Sequence, residues 1–471
     1  MTELHCLTAR AAVALLKKGE VTPLDLIDAA EKRIAATDRP LNAMPTLCLG
    51  RARDHARRMM AGKAPKGRGA AALHGLPIAV KDLDAVAGVR TTQGSPIYAD
   101  VVPERSDILV EMLEANGAIV VGKSNTPEFG AGAQTYNQVF GVTGNPWDLS
   151  KTCAGSSGGS AAALAAGQVW LATGSDLGGS LRTPASFCGV IGFRPSSGRV
   201  PTGPEGMPFG MMSVAGPMAR NVGDCALMLD AMVGEVPEDP RSLPRPATSF
   251  QAAVAKARPP KRVAFSPDLG FLPIDPEVRR VCAEAARRFE AMGARLDAAC
   301  PDFSGADAIF QTLRAAGFAM SMAAEYANHR DKLKPEIIWN IEKGQTLSVE
   351  AIGRAERERG ALFHRVFAFF KTYDLLVTPA AMVPPFDKTI PWVTEVDGRR
   401  FDNYVDWLIL PGAITLAGCP AISVPCGFTA TGLPIGLQIV GPPRAEARVL
   451  AAARLFEDAT GLADRVPLDP S

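Results

Sequence analysis

Two serines set among glycines are the strongest constraint in this chain. Ser156 lies in Gly155-Ser156-Ser157-Gly158-Gly159 and Ser180 closes Gly178-Gly179-Ser180, with an Ala-rich run between the two clusters. Glycine inside an element costs roughly 0.5–1 kcal/mol, so such clusters mark backbone that bends sharply or lies close to another group. A hydroxyl held there can lie beside several free N–H groups, which is what an acyl-transfer nucleophile needs.

Composition excludes several classes of protein. The 471 residues carry 50 basic and 49 acidic side chains, a net charge of +1, and no basic block, so we expect neither nucleic acid nor a membrane as partner. The nine cysteines contain no C-x-x-C and are odd in number, which is typical of a reduced cytoplasmic protein without a zinc site. We find no signal peptide and no apolar run of about 18 residues.

Helix and strand signals alternate along the chain and predict an α/β fold with a mixed or parallel sheet covered by helices. Thr22-Pro23 is a helix start, with Thr as N-cap and Pro in the first turn. Apolar runs predict four strands, and intervening patterns predict three helices. The strands are 76–80, 118–121, 421–425 and 436–440, and the helices are 108–115, 160–166 and 445–459.

The middle of the chain carries weaker signals. A Pro-rich passage over 236–260 predicts a surface connection, followed by a strand–helix–strand unit over 262–296. Residues 303–395 are expected to be helical, with more aromatic and charged side chains.

One phosphate-loop pattern is present but lacks its context. Gly117-x4-Gly122-Lys123-Ser124 matches the motif, which needs a loop between its glycines and a helix after its lysine. The intervening residues are Ala-Ile-Val-Val, a strand run, and Pro127 opposes an immediate helix. We therefore interpret the pattern as a strand and turn.

A nucleophile elbow is the second alternative, because Gly155-x-Ser157-x-Gly159 fits G-x-S-x-G. An elbow needs a strand just before it and a histidine downstream. Residues 145–151 look like a turn, and the downstream His329 and His364 look like helix residues. A Ser-His-Asp triad is therefore disfavoured.

Without histidine, the base for the two serines would be a lysine with a lowered pKa. Lys81 ends the apolar run Leu76–Val80, so its backbone is expected to be buried, where an isolated ammonium is costly. The alternative is a lysine at a strand end that reaches solvent.

These motifs together resemble the amidase signature family. The match runs in order through most of the chain, and its blocks are residues 74–82, 122–129, 145–148, 155–160, 174–180, 420–425 and 433–438. The resemblance implies one large α/β domain over 1–471, with a mixed central sheet covered by helices on both faces. It would comprise a core of about 1–235 and 400–471 and a more variable, substrate-covering segment of about 260–395.

The resemblance also implies a Ser–cisSer–Lys triad with no metal and no cofactor. Ser180 would be the nucleophile, Ser156 the bridging serine on a cis peptide after Gly155, and Lys81 the base. The oxyanion would be bound by the N–H groups of Leu177, Gly178, Gly179 and Ser180. Ser157 is expected to be structural, and Asp176 and Arg182 to brace the loop by hydrogen bonds.

Three positions bear on the substrate, which is expected to be a small molecule. Thr183 stands where malonamidase-like members place an arginine, which disfavours a small acidic substrate. Gly130 and Ala131 are smaller than their counterparts in fatty acid amide hydrolases, which favours an open pocket mouth. We expect a neutral, bulky or aryl amide, with Phe310, Tyr326, Trp339 and Trp392 as candidate wall residues.

Other functions on the same scaffold stay open. A carbamate or an ester is as compatible with this triad as an amide, and the A subunit of a tRNA-dependent amidotransferase would share the fold. The block Phe401–Trp407 looks more like stand-alone bacterial amidases. A homodimer is left open.

Overall fold

The buried strands assemble into one mixed sheet of eleven strands. The computed structural model describes residues 3–67, 69–204 and 207–471. Within them the strands are β1 (Thr46–Leu47), β2 (Leu76–Lys81), β3 (Ala118–Ser124), β4 (Tyr136–Asn137), β5 (Gly141–Val142), β6 (Gly144–Asn145), β7 (Asp148–Thr152), β8 (Leu171–Asp176), β9 (Ile191–Arg194), β10 (Val214–Ala219), β11 (Arg262–Phe265), β12 (Arg295–Ala298), β13 (Leu375–Pro379), β14 (Glu395–Val396), β15 (Arg399–Arg400), β16 (Ala421–Phe428) and β17 (Pro434–Val440).

The order across this sheet is β1-β3-β2-β8-β10-β9-β16-β17-β13-β11-β12. The pairs β2–β3, β2–β8, β11–β13 and β11–β12 are parallel, and the other neighbours are antiparallel. The predicted mixed α/β sheet is therefore confirmed.

Helices fill most of the connections between the strands. They are α1 (Ala9–Lys18), α2 (Pro23–Leu41), α3 (Leu49–Met60), α4 (Ile108–Ala115), α5 (Gly158–Ala165), α6 (Arg182–Cys188), α7 (Val222–Met232), α8 (Phe250–Ala255), α9 (Pro276–Ala286), α10 (Arg288–Ala291), α11 (Ala306–Ser321), α12 (Ala323–His329), α13 (Pro335–Gln345), α14 (Val349–Phe369), α15 (Ile409–Leu416) and α16 (Glu446–Thr460). Over the described ranges, none of them combines the length and apolar character that a membrane crossing requires.

Helices cover both faces of the sheet, as its side-chain alternation shows. Ile78 and Val80 of β2 pack into one apolar cluster with α1, α4 and α7. Ala79 of β2, with Ile119 and Val121 of β3, packs into a second cluster with α2, α3 and α5. Successive strand residues point to opposite faces, so a strand buried on both is a continuous apolar run.

The second helix begins where the sequence predicts. Thr22 Oγ1 accepts a hydrogen bond from Asp25 N at 3.2 Å, and Asp25 Oδ2 accepts one from Thr22 N at 2.7 Å, which is a capping box. Pro23 occupies the first turn, where its missing N–H costs nothing. The helix continues to Leu41.

Three local predictions need correction. Residues 375–379, expected to be helical, form strand β13 inside the central sheet. The prediction was wrong because the three apolar residues at the start of this strand are too few to show a strand period. The Pro-rich connection contains α8, whose Phe250 is buried. Residues 145–151, expected to form a turn, belong to a short hairpin of β6 and β7 outside the central sheet.

The sheet brings the end of β2 next to the end of β8. The two strands are parallel and adjacent, with Ile78 opposite Leu171 and Ala79 opposite Ala172. Lys81 at the end of β2 therefore lies beside the last residues of β8, directly before the Ser180 loop. Helix α5 begins at Gly158, just after Ser156 and Ser157.

We expect Gly192→Ala to destabilise the fold by about 1–3 kcal/mol. A Cβ at Gly192 of β9 would overlap the carbonyl oxygen of Leu181, which precedes α6. The urea midpoint measures the effect. Gly50→Ala is the matched control, because Gly50 is exposed in α3 with open space around it and should gain up to about 1 kcal/mol. Equal stability of the two variants would contradict this reading of the packing.

Candidate active site

Lys81 is fully buried and its ammonium nitrogen contacts three serine hydroxyls. Lys81 Nζ donates to Ser156 Oγ at 2.7 Å, and to Ser157 Oγ and Ser175 Oγ at 3.0 Å each. The backbone N of Lys81 donates to Thr173 Oγ1 at 2.9 Å. The lysine does not reach solvent, which excludes the alternative that the sequence left open.

Burial lowers the pKa of Lys81 to about 7, against the opposing influence of the Asp84 and Asp176 carboxylates. The physical cause is desolvation, which disfavours the charged form of an amine. A substantial fraction of Lys81 is therefore neutral near pH 7, the form that can accept a proton.

The Gly155–Ser156 peptide bond is cis, as the sequence predicts. A Cβ on Gly155 would lie 3.1 Å from backbone atoms of Gln134, so the position has little room for a side chain. Ser156 is 2% exposed, and its hydroxyl faces Lys81.

Ser157 links the two glycine–serine clusters. Its N–H donates to the Ser180 carbonyl at 3.1 Å, and its hydroxyl accepts from Ser175 N at 3.2 Å. Ser157 also accepts from Lys81, so the residue of the elbow motif holds other parts of the site together.

Ser180 lies in a half-buried loop beside this cluster. Among the described residues its hydroxyl forms no hydrogen bond, whereas its carbonyl accepts from Ser157. The structure thus brings Lys81 and Ser156 into direct contact and places the Ser180 loop next to them, with the Ser180 hydroxyl unengaged.

The predicted brace of the Ser180 loop by Asp176 and Arg182 is confirmed. Asp176 accepts from Gly179 N and from Leu181 N at 3.1 Å each, and Arg182 donates to its two carboxylate oxygens at 2.8 and 3.0 Å. Arg194 Nη1 lies 3.1 Å from Asp176 Oδ1. Burial alone would raise the pKa of Asp176, but the two guanidiniums hold it well below its usual range.

One of the predicted oxyanion donors is already engaged. The Gly179 N–H donates to Asp176, so it is not free to bind an oxyanion in this structure. The N–H groups of Leu177, Gly178 and Ser180 donate to no other group in the described ranges. Phe310 packs over this loop, since a Cβ on Gly178 would lie 3.1 Å from Phe310 Cζ.

Gly130 lies directly beside Ser156. A Cβ at this position would lie 3.3 Å from Ser156 Oγ and 2.9 Å from Leu83 Cδ1, and the backbone has a φ of +67°, which favours glycine. Ala131 is fully buried, so this wall is closed at Ala131, whereas the sequence favoured an open mouth at both positions.

Thr183 lies in the first turn of α6, next to the Ser180 loop. It is 2% exposed, and its Oγ1 is 2.8 Å from where a Cβ on Gly179 would stand. Thr183 Oγ1 has no hydrogen-bond partner among the described residues.

Sequence reasoning missed a further buried lysine near the site. Lys334, just before α13, donates from Nζ to the Ala131 carbonyl at 2.5 Å, and its backbone N donates to Glu128 Oε2 at 2.9 Å. Burial lowers the pKa of Lys334 to about 8, against the influence of Glu336 and Glu128. The start of α13 is thereby attached to the loop beside Ser156. No local pattern marks Lys334.

Sequence reasoning also missed Thr173 and Ser175 as partners of Lys81. Here a signal existed, because two hydroxyl residues at alternate positions of a strand share one face.

The alternative sites are not assembled. Lys123 of the phosphate-loop pattern is a buried strand residue whose Nζ lies 3.3 Å from Asp82 Oδ1. His329 ends α12, and His364 is exposed in α14. Within the described ranges, no three His, Cys, Asp or Glu side chains are grouped as a metal site would require.

Comparisons with known proteins agree on one family. A family model for amidases matches residues 25–450. An acylamidase of Rhodococcus erythropolis is 35% identical over 100% of this chain and 99% of its own length. The crystal structure of a bacterial aryl acylamidase of the amidase signature family has a TM-score of 0.91 and 28% identity, covering 99% of this chain and 100% of that chain. The chain therefore belongs to the amidase family, among the amidase signature enzymes.

Within that family the chain is similar to stand-alone amidases, and it is a hydrolase of carbon–nitrogen bonds other than peptide bonds. Another relative is the A subunit of the glutamyl-tRNA(Gln) amidotransferase of Moorella thermoacetica, 35% identical over 99% of each chain.

We expect Asp176→Asn to destabilise the protein by about 3–5 kcal/mol, because Arg182 and Arg194 would stay buried without their counter-charge. Urea unfolding measures the loss. Asp458→Asn makes the same chemical change in an exposed pair with Arg454 and should cost at most about 0.5 kcal/mol. A loss at Asp176 no larger than at Asp458 would show that the network contributes little.

Proposed function

We propose that the chain hydrolyses amides through a triad of Lys81, Ser156 and Ser180. The observation that carries the proposal is the 2.7 Å hydrogen bond between Ser156 Oγ and a fully buried Lys81 Nζ. Neutral Lys81 takes a proton from Ser156, Ser156 takes one from Ser180, and Ser180 Oγ attacks the carbonyl carbon. The proton returns through Ser156 to the leaving amine, and water then hydrolyses the acyl-enzyme by the same route.

The oxyanion of the tetrahedral intermediate is placed among the N–H groups of Leu177, Gly178 and Ser180, the donors that other groups leave free. One such donor contributes about 2.7–4 kcal/mol to transition-state stabilisation. Gly179 supplies the φ of +101° that turns the loop, and its own N–H is held by Asp176.

We further propose a neutral, bulky or aryl substrate. An apolar cluster packs around Ala131, next to Gly130 and Ser156, and includes Ile97, Phe129, Met322 and Tyr326. Substrate binding would depend on burial of apolar surface, at about 25 cal/mol per Å². The similarity to an acylamidase and an aryl acylamidase supports this class. Carbamates and esters fit the same chemistry.

An amidotransferase A subunit is the second candidate, favoured by the 35% identity to the Moorella thermoacetica subunit. Purification of the chain from its native host separates the two, since a subunit would co-purify with partner chains and a stand-alone amidase would elute alone or as a homodimer. We also propose a cytoplasmic location, because all nine cysteines are free thiols.

Ser180→Ala should abolish turnover and leave the fold intact, because the acyl group has no other acceptor. A fluorophosphonate or phenylmethylsulfonyl probe should label Ser180, as peptide mass mapping would show. Lys81→Met should lower kcat/KM by several orders of magnitude. Label on Ser157 instead would restore the nucleophile-elbow interpretation.

Activity should rise with pH through an apparent pKa near 7. Raising the pH removes the ammonium proton of Lys81, whose pKa burial lowers to about 7, and so increases the fraction of neutral base. The measurement is kcat/KM from pH 5 to 9. His329→Ala and His364→Ala should leave the profile unchanged, and loss of the acid limb in either variant would argue for a histidine base.

Across a substrate series, kcat/KM should rise by about fourfold for each CH₂ added to the acyl or amine part, as about 0.8 kcal/mol per buried CH₂ implies. A carboxylate beside the scissile carbonyl should reduce it. The assay compares aryl amides, carbamates and esters with malonamide and glutamine. Preference for glutamine would favour the amidotransferase alternative and leave the triad intact.

A further inference from the structure

A cavity of about 440 Å³ reaches Ser175, one of the hydrogen-bond partners of Lys81. Its wall includes Ser175, whose hydroxyl accepts from Lys81 Nζ, and the half-buried Asp84, three residues beyond the lysine. Leu83, which also lines this cavity, lies next to Gly130. The cavity therefore connects the base, through one hydroxyl, with a carboxylate that the mechanism above does not use.

Asp84 is connected to Lys81 by hydrogen bonds as well. Thr173 Oγ1 donates to Asp84 Oδ2 at 3.2 Å and accepts from the backbone N of Lys81 at 2.9 Å. Among the described residues Asp84 forms no direct ion pair, and it is one of the residues that line the cavity. The carboxylate is thus fixed in place, and no cation neutralises it by contact.

The charges around Asp84 lie on several elements. Lys81 of β2, Lys123 of β3 and Asp107, just before α4, all act on it. Desolvation and Asp107 raise the pKa of Asp84 to about 6, with the two lysines opposing. Lys123 is paired with Asp82 at 3.3 Å.

Two carboxylates act on Lys81 itself, those of Asp84 and Asp176. Asp176 is neutralised by direct contact with Arg182 and Arg194, whereas the charge of Asp84 is not cancelled in this way. Of the two carboxylates, Asp84 is therefore the one that no described cation neutralises by direct contact.

We propose that Asp84 is a positioning residue that acts through Lys81: the charge of its carboxylate sets the pH at which Lys81 becomes the neutral base. Ionised Asp84 stabilises the ammonium form and delays its deprotonation, while protonated Asp84 does not. Because Asp84 and Lys81 titrate over the same pH range, their titrations are coupled. The inference rests on the proposed role of Lys81 as base.

The experiment is the pH profile of kcat/KM from pH 5 to 9 for the full chain and its variants. Asp84→Asn should shift the acid side of the profile to lower pH by about one unit, because the negative charge that stabilises the ammonium form of Lys81 is gone. On the acid side this is about a tenfold rise in rate relative to the plateau. Asp84→Glu keeps the charge and should restore the original limb. Asp84→Ser serves the same test if the Asn variant does not fold.

Asp107→Asn is the matched control, because Asp107 lines the same cavity but does not act on Lys81 directly. The acid side of the pH profile of Asp107→Asn should not shift to lower pH. The assignment to Asp84 is overturned if the acid side of the pH profile does not shift in Asp84→Asn, or if it shifts equally in Asp107→Asn. The Lys81→Met variant distinguishes failure of this inference from failure of the proposed triad. If Lys81→Met is active, both proposals are wrong. If Lys81→Met is inactive and the pH profile of Asp84→Asn is unchanged, only the role of Asp84 is wrong.

Discussion

The cost of burying one amine shapes the centre of this protein. Lys81 has no solvent contact and, among the described residues, no carboxylate in direct contact, so its ammonium form is expensive and three serine hydroxyls replace its water. Those hydroxyls come from the turn before α5 and from β8, and the parallel pairing of β2 with β8 brings them to the end of Lys81's strand. The order of the strands in the sheet therefore also determines the surroundings of the proposed base, Lys81.

A second buried charge, on Asp176, complements the first. Lys81 loses its proton readily because desolvation outweighs the two carboxylates that act on it, whereas Asp176 is held ionised by two arginines. The carboxylate uses its remaining capacity on the N–H groups of Gly179 and Leu181. Lys81 can thus change its charge near pH 7, whereas Asp176 stays ionised and supports the Ser180 loop.

Much of the fold could be predicted from the sequence, where local pattern and burial agree. The apolar runs of β2 and β3 and the Thr22 cap gave correct elements, since each signal is contained within a few residues. Strand β13 was missed because its apolar run is short and its partners lie far away in the chain. At the site, the resemblance pointed to Lys81 and its serines, but side-chain contacts such as Lys334 with Ala131 depend on tertiary packing that no local pattern records.

The contact between Lys334 and the Ala131 carbonyl has a consequence for how such an enzyme diversifies. The lysine belongs to a helical layer distant in sequence from the glycine–serine clusters, yet its amine fixes the backbone next to Ser156. Mutations in α12 and α13 can thus reshape the wall beside the proposed triad while Lys81, Ser156 and Ser180 stay unchanged. Selection can thereby act on the choice of ligand and on the chemistry as nearly separate traits.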